Sequence, residues 1–328
     1  MSYKQMTGNI ISATKVEPDG NFQDSAASGV WSLQEQYDYR RGANWPETGN
    51  LLQRGIFFQG TVGQYIDITT TSNSIDFGDL TSNAVDSPAG FASTTLAFVA
   101  GGTGNVIQSI AFSAIGGTSS DFGDLSANKD RFYGLSNTIR GITVGGNEST
   151  DIEYVTMASA GNASDFGNLT VGRDSASCGA STTRGVSMGG FTGAAIVNTI
   201  DYITIGSTGD ASDFGDLTAT ANRSGGCSNN TRSLRGGSDG PSNIIDYITI
   251  ASAGNASDFG DLSAAKSNIA AASGLTRGVW FGGRTSSAVD VIEYVTIANT
   301  GNVTDFGNLL SAKQEAVAVS SAHGGLIA

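Results

Sequence analysis

The sequence repeats one tripeptide, Asp-Phe-Gly, at nearly constant spacing. Its six copies begin at Asp76, Asp121, Asp165, Asp213, Asp258 and Asp305. The flanks repeat as well: residues 200–217 read IDYITIGSTGDASDFGDL and residues 245–262 read IDYITIASAGNASDFGDL. A unit that recurs at a period of about 45 residues folds as one supersecondary element that packs against its copies. This repeat constrains the fold more than any other feature of the chain.

Each unit contains four short segments with the composition of strands. In one unit these are residues 175–181, 184–188 and 200–205, followed by a fourth segment that begins at Asp213. The joining stretches are rich in Gly, Asn, Asp and Ser, and the chain has 46 glycines but only 4 prolines, which is typical of many tight turns and leaves no room for helices. Six four-stranded units predict an all-β fold, a six-bladed β-propeller. A parallel β-helix is the alternative.

The two ends of the repeat are incomplete in complementary ways. The first unit starts at Gln53 with its second strand, whereas the last unit ends before a second strand can form. We expect residues 314–322 to supply the missing first strand of the first blade. Closing the ring in this way removes the exposed edges of a linear array.

Residues 1–50 lie outside the repeat, and we assign them to a separate domain from the propeller at 51–328. Ser32 and Glu35 form a capping box, which predicts a short helix over residues 33–41 that stops at Gly42. We interpret the segment as an assembly anchor. Aromatic residues suit such an interface, and the candidates are Trp31, Tyr37 and Trp45.

The units carry further shared positions. The second strand ends in a glycine pair such as Gly189-Gly190, the third carries a tyrosine such as Tyr202, and a basic residue such as Arg173 follows the fourth. This pattern resembles the kelch repeat, which implies a β-propeller. It departs from that repeat by using Phe in place of Trp on the fourth strand, and by having Gln59-Gly60 in place of the first glycine pair.

The amino-acid sequence of the repeats is similar to that of kelch-like repeats in bacteriophage virion and tail-fibre proteins. The stretch at residues 29–37 resembles a short element that recurs in such virion proteins. The resemblance implies a non-enzymatic virion structural protein, made in the host cytoplasm, that displays its propeller on a tail fibre or tail tip for host attachment and receptor binding. Its expected partners are other virion proteins, further copies of itself, and a host cell-surface glycan or protein. A capsid or neck structural or decoration protein is the alternative.

Charge and composition exclude several functions. Thirty acidic against 17 basic residues give a net charge of −13, which disfavours binding to nucleic acid. No apolar run is long enough for a membrane span. Cys178 and Cys227 are too few for a disulfide framework and are expected to be buried thiols, and with His323 as the single histidine we predict no metal site and no cofactor.

The repeated charged residues have structural interpretations. In each Asp-Phe-Gly, we expect Asp to accept hydrogen bonds from a turn, Phe to fill the space between blades, and Gly to adopt a turn conformation. One arginine per unit begins the second strand, and we expect it to pair with a carboxylate of a neighbouring turn. These arginines are Arg54, Arg140, Arg184, Arg232 and Arg277.

The stretch between the glycine pair and the third strand varies while the strands stay nearly fixed. It holds four residues in the second unit and nine in the fourth. A propeller places all these connections at one end, where loops carry recognition. An aromatic ring, an arginine and polar side chains in them are candidate ligand-binding residues. These candidates are Phe191, Thr192, Arg284, Thr285, Asn147, Glu148 and Asp239.

Overall fold

The computed structural model describes residues 53–84, 87–102 and 104–326, and these form an all-β propeller of six four-stranded sheets. The six-bladed fold predicted from the repeat is therefore confirmed, and the parallel β-helix is excluded. No helix occurs within the described residues. The helix predicted over residues 33–41 lies outside them, as does the whole anchor segment.

Five blades consist of strands in chain order from the axis outwards. Blade 2 contains β3 (Ala89–Ala92), β4 (Leu96–Ala100), β5 (Val106–Ala111) and β7 (Ser120–Asp124). Blade 3 contains β8 (Tyr133–Ser136), β9 (Arg140–Val144), β10 (Asp151–Thr156) and β11 (Ser164–Asn168). Blade 4 contains β12 (Ser177–Ala180), β13 (Arg184–Phe191), β14 (Ile196–Thr204) and β15 (Ser212–Asp216). Blade 5 contains β16 (Gly225–Ser228), β17 (Arg232–Ser238), β18 (Ser242–Thr249) and β19 (Ser257–Lys266). Blade 6 contains β20 (Ala270–Ser273), β21 (Arg277–Phe281), β22 (Val289–Thr296) and β23 (Thr304–Lys313).

Blade 1 joins the two ends of the repeat. Its innermost strand is β24 (Val317–Ser320), followed outwards by β1 (Arg54–Asp67), β2 (Ile75–Ala84) and the two-residue β6 (Gly117–Thr118). The first half of β1 pairs antiparallel with β24, with Gly55 opposite Ser320, and its second half pairs with β2. The predicted closure by the C-terminal segment is therefore confirmed.

The hydrophobic core lies between neighbouring blades rather than at the axis. Six buried clusters each combine side chains from two adjacent blades. The Asp-Phe-Gly phenylalanines are buried in them, and five contact the tyrosine of their own blade edge to face, as Tyr154 and Phe166 do at 5.9 Å. Edge-to-face packing adds to the apolar area that each ring buries. The predicted role of Phe is confirmed.

The other two residues of the tripeptide behave differently from each other. Gly167 has φ +146, and a Cβ there would lie 2.4 Å from the carbonyl oxygen of Gly209 in the next blade, so only glycine fits. It occupies a β-bulge within the sheet, between Ile152 and Glu153 of the paired strand, and not a turn. The prediction for Asp was wrong: the six aspartates are exposed, and within the described residues their carboxylates accept no hydrogen bond.

The residues before each Asp-Phe-Gly connect the blade to the preceding one. Gly161 donates its backbone N–H to Phe122 O at 2.8 Å, and the Oδ1 of Asn162 accepts a hydrogen bond from the backbone N–H of Asp124 at 3.0 Å. Asp210, Asn255, Asn302 and Asn73 make the same side-chain contact at four other junctions. These bonds satisfy part of the outer edge of each fourth strand, which would otherwise be free to pair with another chain.

The repeated arginines also join blades, but not through the predicted carboxylates. The Arg184 guanidinium lies over the Tyr202 ring at 4.4 Å from its centroid and donates from NH1 to Ile250 O of the next blade at 2.8 Å. The other four arginines repeat this arrangement. The reason is register: Arg184 is opposite Thr204, which places Tyr202 on the same face two residues away, whereas the Asp-Phe-Gly carboxylates point into solvent.

Buried ion pairs form a further inter-blade connection. Lys266 Nζ lies 2.7 Å from Glu293 Oε1, and both side chains are about 2% exposed or less. Lys129 with Glu153, and Arg173 with Asp201, occupy the same place at two other junctions. In blade 5 Arg235 pairs with Asp246 instead. Blades 1 and 2 carry the neutral residues Gln64 and Gln108 at the position of the acid, where their Oε1 atoms accept backbone N–H bonds from the adjoining blade.

Candidate functional site

One end of the propeller carries the variable connections, and we call it the loop face. It holds the links between second and third strands, together with the links from each fourth strand to the first strand of the next blade. The other end, which we call the closed end, holds the remaining turns. The longest connection is shorter than predicted, because β13 extends to Phe191 and β14 begins at Ile196, which leaves a turn at residues 192–195. The extra residues of this connection therefore lengthen the two paired strands and not the turn between them.

Phe191 and Arg284 occupy equivalent places on this face. Phe191 exchanges two backbone hydrogen bonds with Asp174, and Arg284 exchanges the same two with Ser267. Phe191 belongs to β13 and is half-buried, so it is not a free loop residue, whereas the Arg284 side chain is exposed. Their equivalence in the repeat was predicted, and the structure places both beside the connection that leads to an innermost strand.

Asn147 and Glu148 form the tip of the blade 3 hairpin. Both are exposed and have positive φ, 51° and 57°, an uncommon conformation for residues other than glycine. Asn147 Oδ1 accepts the backbone N–H of Asp130 at 3.2 Å. The side chain of Glu148 approaches Gly193, because a Cβ built on that glycine would lie 3.4 Å from Glu148 Cγ. The hairpins of blades 3 and 4 therefore meet.

The remaining predicted residues are held mainly by their own turns. Thr192 Oγ1 exchanges hydrogen bonds with the backbone of Ala195, and Thr285 donates its backbone N–H to Ser287 O. Asp239 Oδ2 lies 3.7 Å from Arg223 NH1. The predicted set is thus spread over blades 3 to 6, and within the described residues no hydrogen bond or ion pair gathers it into one cluster.

A charged cluster that the sequence did not single out lies between blades 3 and 4. Arg131 NH1 is 3.1 Å from Asp174 Oδ2, and its Nε is 3.2 Å from Asp130 Oδ1. Burial alone lowers the pKa of Arg131, but the charges of Asp174, Asp130 and Glu148 outweigh it and hold that pKa above its ordinary value. Three carboxylates around one guanidinium leave this part of the loop face negatively charged.

Six residues surround the axis on the loop face, and we call them the mouth ring. They share one repeat position, two residues before an innermost strand, and a left-handed conformation with φ between 51° and 56°: Ser87, Arg131, Ser175, Arg223, Asn268 and Glu315. Backbone bonds run around the ring, from Ser175 N to Arg131 O at 2.8 Å and from Arg223 N to Ser175 O at 2.7 Å. Aligning the repeats on the residue before each first strand would have located these six positions.

The axis is a narrow channel lined by small residues. Gly90, Gly134, Cys178, Gly226 and Ala271 line a cavity of about 60 Å³ at its centre. A Cβ on Gly134 would lie 2.3 Å from Gly90 O, and one on Gly226 would lie 2.4 Å from Cys178 O. Larger side chains are excluded because the innermost strands approach each other this closely. The cavity has room for only a few water molecules.

The residues after β24 cross the closed end of this channel. Gly324 donates its backbone N–H to Ser228 O at 2.9 Å, and His323 Nε2 lies 3.0 Å from Ser136 Oγ. A Cβ on Gly325 would lie 1.8 Å from Ser136 O, so this glycine allows the segment to pass directly over blade 3. Residues 321–326 therefore lie across this end of the channel.

The Ser136–His323 pair has the composition of a nucleophile and a base, but its hydrogen bonds run in the opposite direction. His323 Nδ1 accepts the backbone N–H of Gly325 at 3.1 Å, so Nε2 carries the proton and donates it to Ser136 Oγ. A general base would need to accept from that hydroxyl. Burial lowers the pKa of His323 to about 4 and keeps the ring neutral. The pair holds the cap in place.

The two cysteines are buried, free thiols, as predicted. They lie one register position apart, and both border the channel cavity. Cys178 also belongs to the core between blades 3 and 4, and Cys227 belongs to the core between blades 5 and 6, where it is buried with Trp280. Burial raises the pKa of Cys178 to about 12 and raises that of Cys227 as well, so both remain protonated at neutral pH.

Across the described ranges, no group of three or more His, Cys, Asp or Glu side chains is arranged to hold a metal ion. In the same ranges no helix has the length and apolar character needed to cross a membrane. The predicted anchor residues Trp31, Tyr37 and Trp45 lie outside the described residues. Comparison with protein-family models and with curated proteins finds no match for this chain.

Proposed function

We propose that the chain is a non-enzymatic bacteriophage virion protein that presents its loop face to the host surface from a tail fibre or tail tip. Its location in a virion rests on the resemblance of its repeats to kelch-like repeats of phage proteins, and residues 1–50 are its anchor. The observation that carries the recognition role is the contrast between near-identical blades and hairpins that differ in length and chemistry at one end only.

The scaffold beneath those hairpins suits display. The blades are linked by arginine–carbonyl bonds, by the Asn162-type bonds and by buried ion pairs, and the ring is closed by pairing of β24 with β1. A rigid support lowers the conformational entropy that binding must overcome. The hairpins of blades 3 to 6 can therefore vary without altering the fold that holds them. The expected ligand is a cell-surface glycan or a surface protein.

Locating the protein on the particle tests the virion assignment. Gold-labelled antibody against the purified full-length chain should decorate the distal tail of the phage that encodes it. The purified chain should also compete with the phage for adsorption to host cells. Label on the head or neck would contradict the tail assignment and favour a capsid or neck protein. Absence of label from the particle would refute the virion proposal altogether.

A second measurement tests the absence of catalysis. Host surface polysaccharide incubated with the purified chain should keep its chain length, because we assign the loop face to binding. Cleavage that disappears when one loop-face carboxylate is replaced by its amide would overturn the non-enzymatic proposal.

A further inference from the structure

A hollow at the closed end is larger than the channel cavity, and we call it the closed-end pocket. Its volume is about 200 Å³, against about 60 Å³ for the cavity at the axis. Its wall consists of Asn229, Asn230 and Thr231 from blade 5, Leu275 from blade 6, and residues 322–324. A space of about 150 Å³ is enough for a benzene ring. The pocket therefore has room for one six-membered ring of a ligand.

The route of the chain at the closed end forms this pocket. Residues 229–231 are the turn between β16 and β17, and residues 274–276 are the equivalent turn between β20 and β21. Blade 1 cannot form such a turn, because its first strand is β24 and its second is the start of β1. The residues that follow β24 run inward instead, where Gly324 donates its backbone N–H to Ser228 O at 2.9 Å. The pocket lies between this inward segment and the two turns.

The polar part of the wall carries hydrogen-bond donors that the fold does not use. Asn229 Oδ1 accepts the backbone N–H groups of Thr231 and Arg232, at 2.9 and 2.7 Å. Asn230 Oδ1 accepts the backbone N–H and the hydroxyl of Thr182 in blade 4, at 3.2 and 3.4 Å. These bonds fix the orientation of both amides and occupy both oxygens. Among the described residues, neither Nδ2 group and no atom of the Thr231 hydroxyl has a partner.

The rest of the wall is apolar or already hydrogen-bonded. Leu275 is half-buried, and its backbone N–H donates to Gln53 Oε1 at 2.9 Å, so its side chain alone is left for a ligand. The two ring nitrogens of His323 are occupied by Gly325 N at 3.1 Å and Ser136 Oγ at 3.0 Å. The imidazole therefore offers only its carbon atoms to the pocket. The pocket combines N–H donors with apolar surface.

The pocket favours a neutral ligand. Of the described residues that line it, none carries a charge at neutral pH. Arg232 follows the blade 5 turn, but its NH1 donates to Ile297 O and Ala298 O at 3.0 and 2.8 Å. Its guanidinium also lies over the Tyr247 ring. An anion would therefore lack a counter-charge on a chain with net charge −13, and a cation would lack a carboxylate.

The unused donors select the kind of group that fits. A carbonyl oxygen accepts hydrogen bonds and brings no donor of its own, whereas each sugar hydroxyl brings a proton that needs an acceptor. Within the described part of the wall, Thr231 Oγ1 is the side-chain acceptor that remains unpaired. An acetamido group consists of one carbonyl, one N–H and one methyl. Its carbonyl suits the amide donors, its N–H suits the Thr231 hydroxyl, and its methyl suits Leu275.

We propose that the closed-end pocket binds the acetamido group of an N-acetylated hexosamine. The amides of Asn229 and Asn230 supply donors to its carbonyl oxygen and to oxygens of the sugar ring. Thr231 Oγ1 accepts the acetamido N–H, and the methyl packs against Leu275. The sugar ring fills the remaining volume, and its linkage to a longer glycan stays in solvent. This inference goes beyond the proposed function, because it concerns the end opposite the loop face and does not depend on what the loop face binds.

The test uses the full-length chain with the methyl glycosides of N-acetyl-D-glucosamine and D-glucose, measured by calorimetry and by saturation-transfer NMR. The N-acetylated sugar should bind, and the glucoside should bind at least about fivefold more weakly. Asn230→Asp keeps the oxygen that Thr182 uses but removes the N–H donors, so it should weaken binding of the N-acetylated sugar about fivefold or more. Thr138→Asp places the same charge at the equivalent exposed turn position of blade 3, outside the pocket, and should leave the affinity unchanged.

A second variant covers a loss of stability in the first. If Asn230→Asp lowers the melting temperature, Thr231→Val takes its place, because it removes a hydroxyl that makes no hydrogen bond within the described residues. It should also weaken binding. The double variant Phe191→Ala, Arg284→Ala separates this pocket from the loop face, and it should bind the N-acetylated sugar as the wild type does.

The opposite results would overturn the assignment. Equal binding of the two glycosides, or no binding of the N-acetylated one, would refute an acetamido site. Unchanged binding in a folded Asn230→Asp variant would exclude the amide as a donor, and an equal loss in Thr138→Asp would show a general charge effect. Loss of binding in the loop-face double variant would place the sugar at the other end. A chain that binds the N-acetylated sugar but does not compete for phage adsorption would support this site while refuting the proposed function.

Discussion

Replacement of Glu293 by glutamine tests whether the acid and the base of a buried ion pair stabilise the fold only when both are present. Lys266 Nζ lies 2.7 Å from Glu293 Oε1, and both side chains are almost completely buried. Glu293→Gln removes the counter-charge and leaves an ammonium group in the core between blades. Breaking a buried pair in this way costs about 3–5 kcal/mol, a large share of the roughly 5–15 kcal/mol by which proteins are stable. We therefore expect the single variant to be severely destabilised.

Blade 2 indicates which second substitution should recover the stability lost in Glu293→Gln. Blade 2 has Gln108 at the position of Glu293, and its Oε1 accepts the backbone N–H of Ser82 without any lysine. The double variant Lys266→Met, Glu293→Gln copies that neutral arrangement, and it should recover most of the lost stability. Lys313→Met is the control, because Lys313 is only half-buried and occupies the repeat position of Lys266 at the junction with blade 1, where Gln64 stands at the position of the acid, and it should change stability by less than about 1 kcal/mol.

Equilibrium unfolding in urea, followed by circular dichroism and by tryptophan fluorescence, gives the free energies of unfolding for a double-mutant cycle. The reasoning predicts a coupling free energy of about 2 kcal/mol or more between positions 266 and 293. If Glu293→Gln costs less than about 1 kcal/mol, water reaches the lysine and the pair is not structurally important. If the double variant is no more stable than the single one, the comparison with blade 2 fails.

Three further predictions concern the cap, the loop face and the bulge. The folded state depresses the pKa of His323 to about 4, so the stabilisation it provides is complete above its ordinary value of 6.5 and is lost as pH falls through 4. The wild type should lose up to about 3 kcal/mol more than His323→Gln over that range in pH-dependent unfolding, and parallel curves would refute this. Phe191→Ala with Arg284→Ala should leave the melting temperature nearly unchanged and weaken host-cell binding by about 1–3 kcal/mol; a lower melting temperature with unchanged binding would show that they only pack the blades. Gly167→Ala should destabilise the fold by more than about 1 kcal/mol in thermal unfolding, whereas Gly161→Ala, in open space, should have little effect; equal effects would contradict the close approach of Gly209.

The sequence by itself determined the architecture. The six copies of Asp-Phe-Gly set the number of blades, the composition between them predicted four strands each, and the incomplete ends predicted the pairing of β24 with β1. The buried phenylalanines and thiols followed from the same pattern. These features depend on the composition of each strand and on the spacing of the repeat, and both can be identified from the sequence alone.

The tertiary structure decided which residues meet. Arg184 contacts a carbonyl of residue 250, the Asp-Phe-Gly aspartates point into solvent, and His323 lies beneath Ser136. Each of these outcomes depends on how neighbouring blades are oriented, which no single repeat encodes. The mouth ring is the clearest case. Its six members are separated by about 45 residues in the chain, and only closure of the ring around one axis brings them together at one end of the propeller.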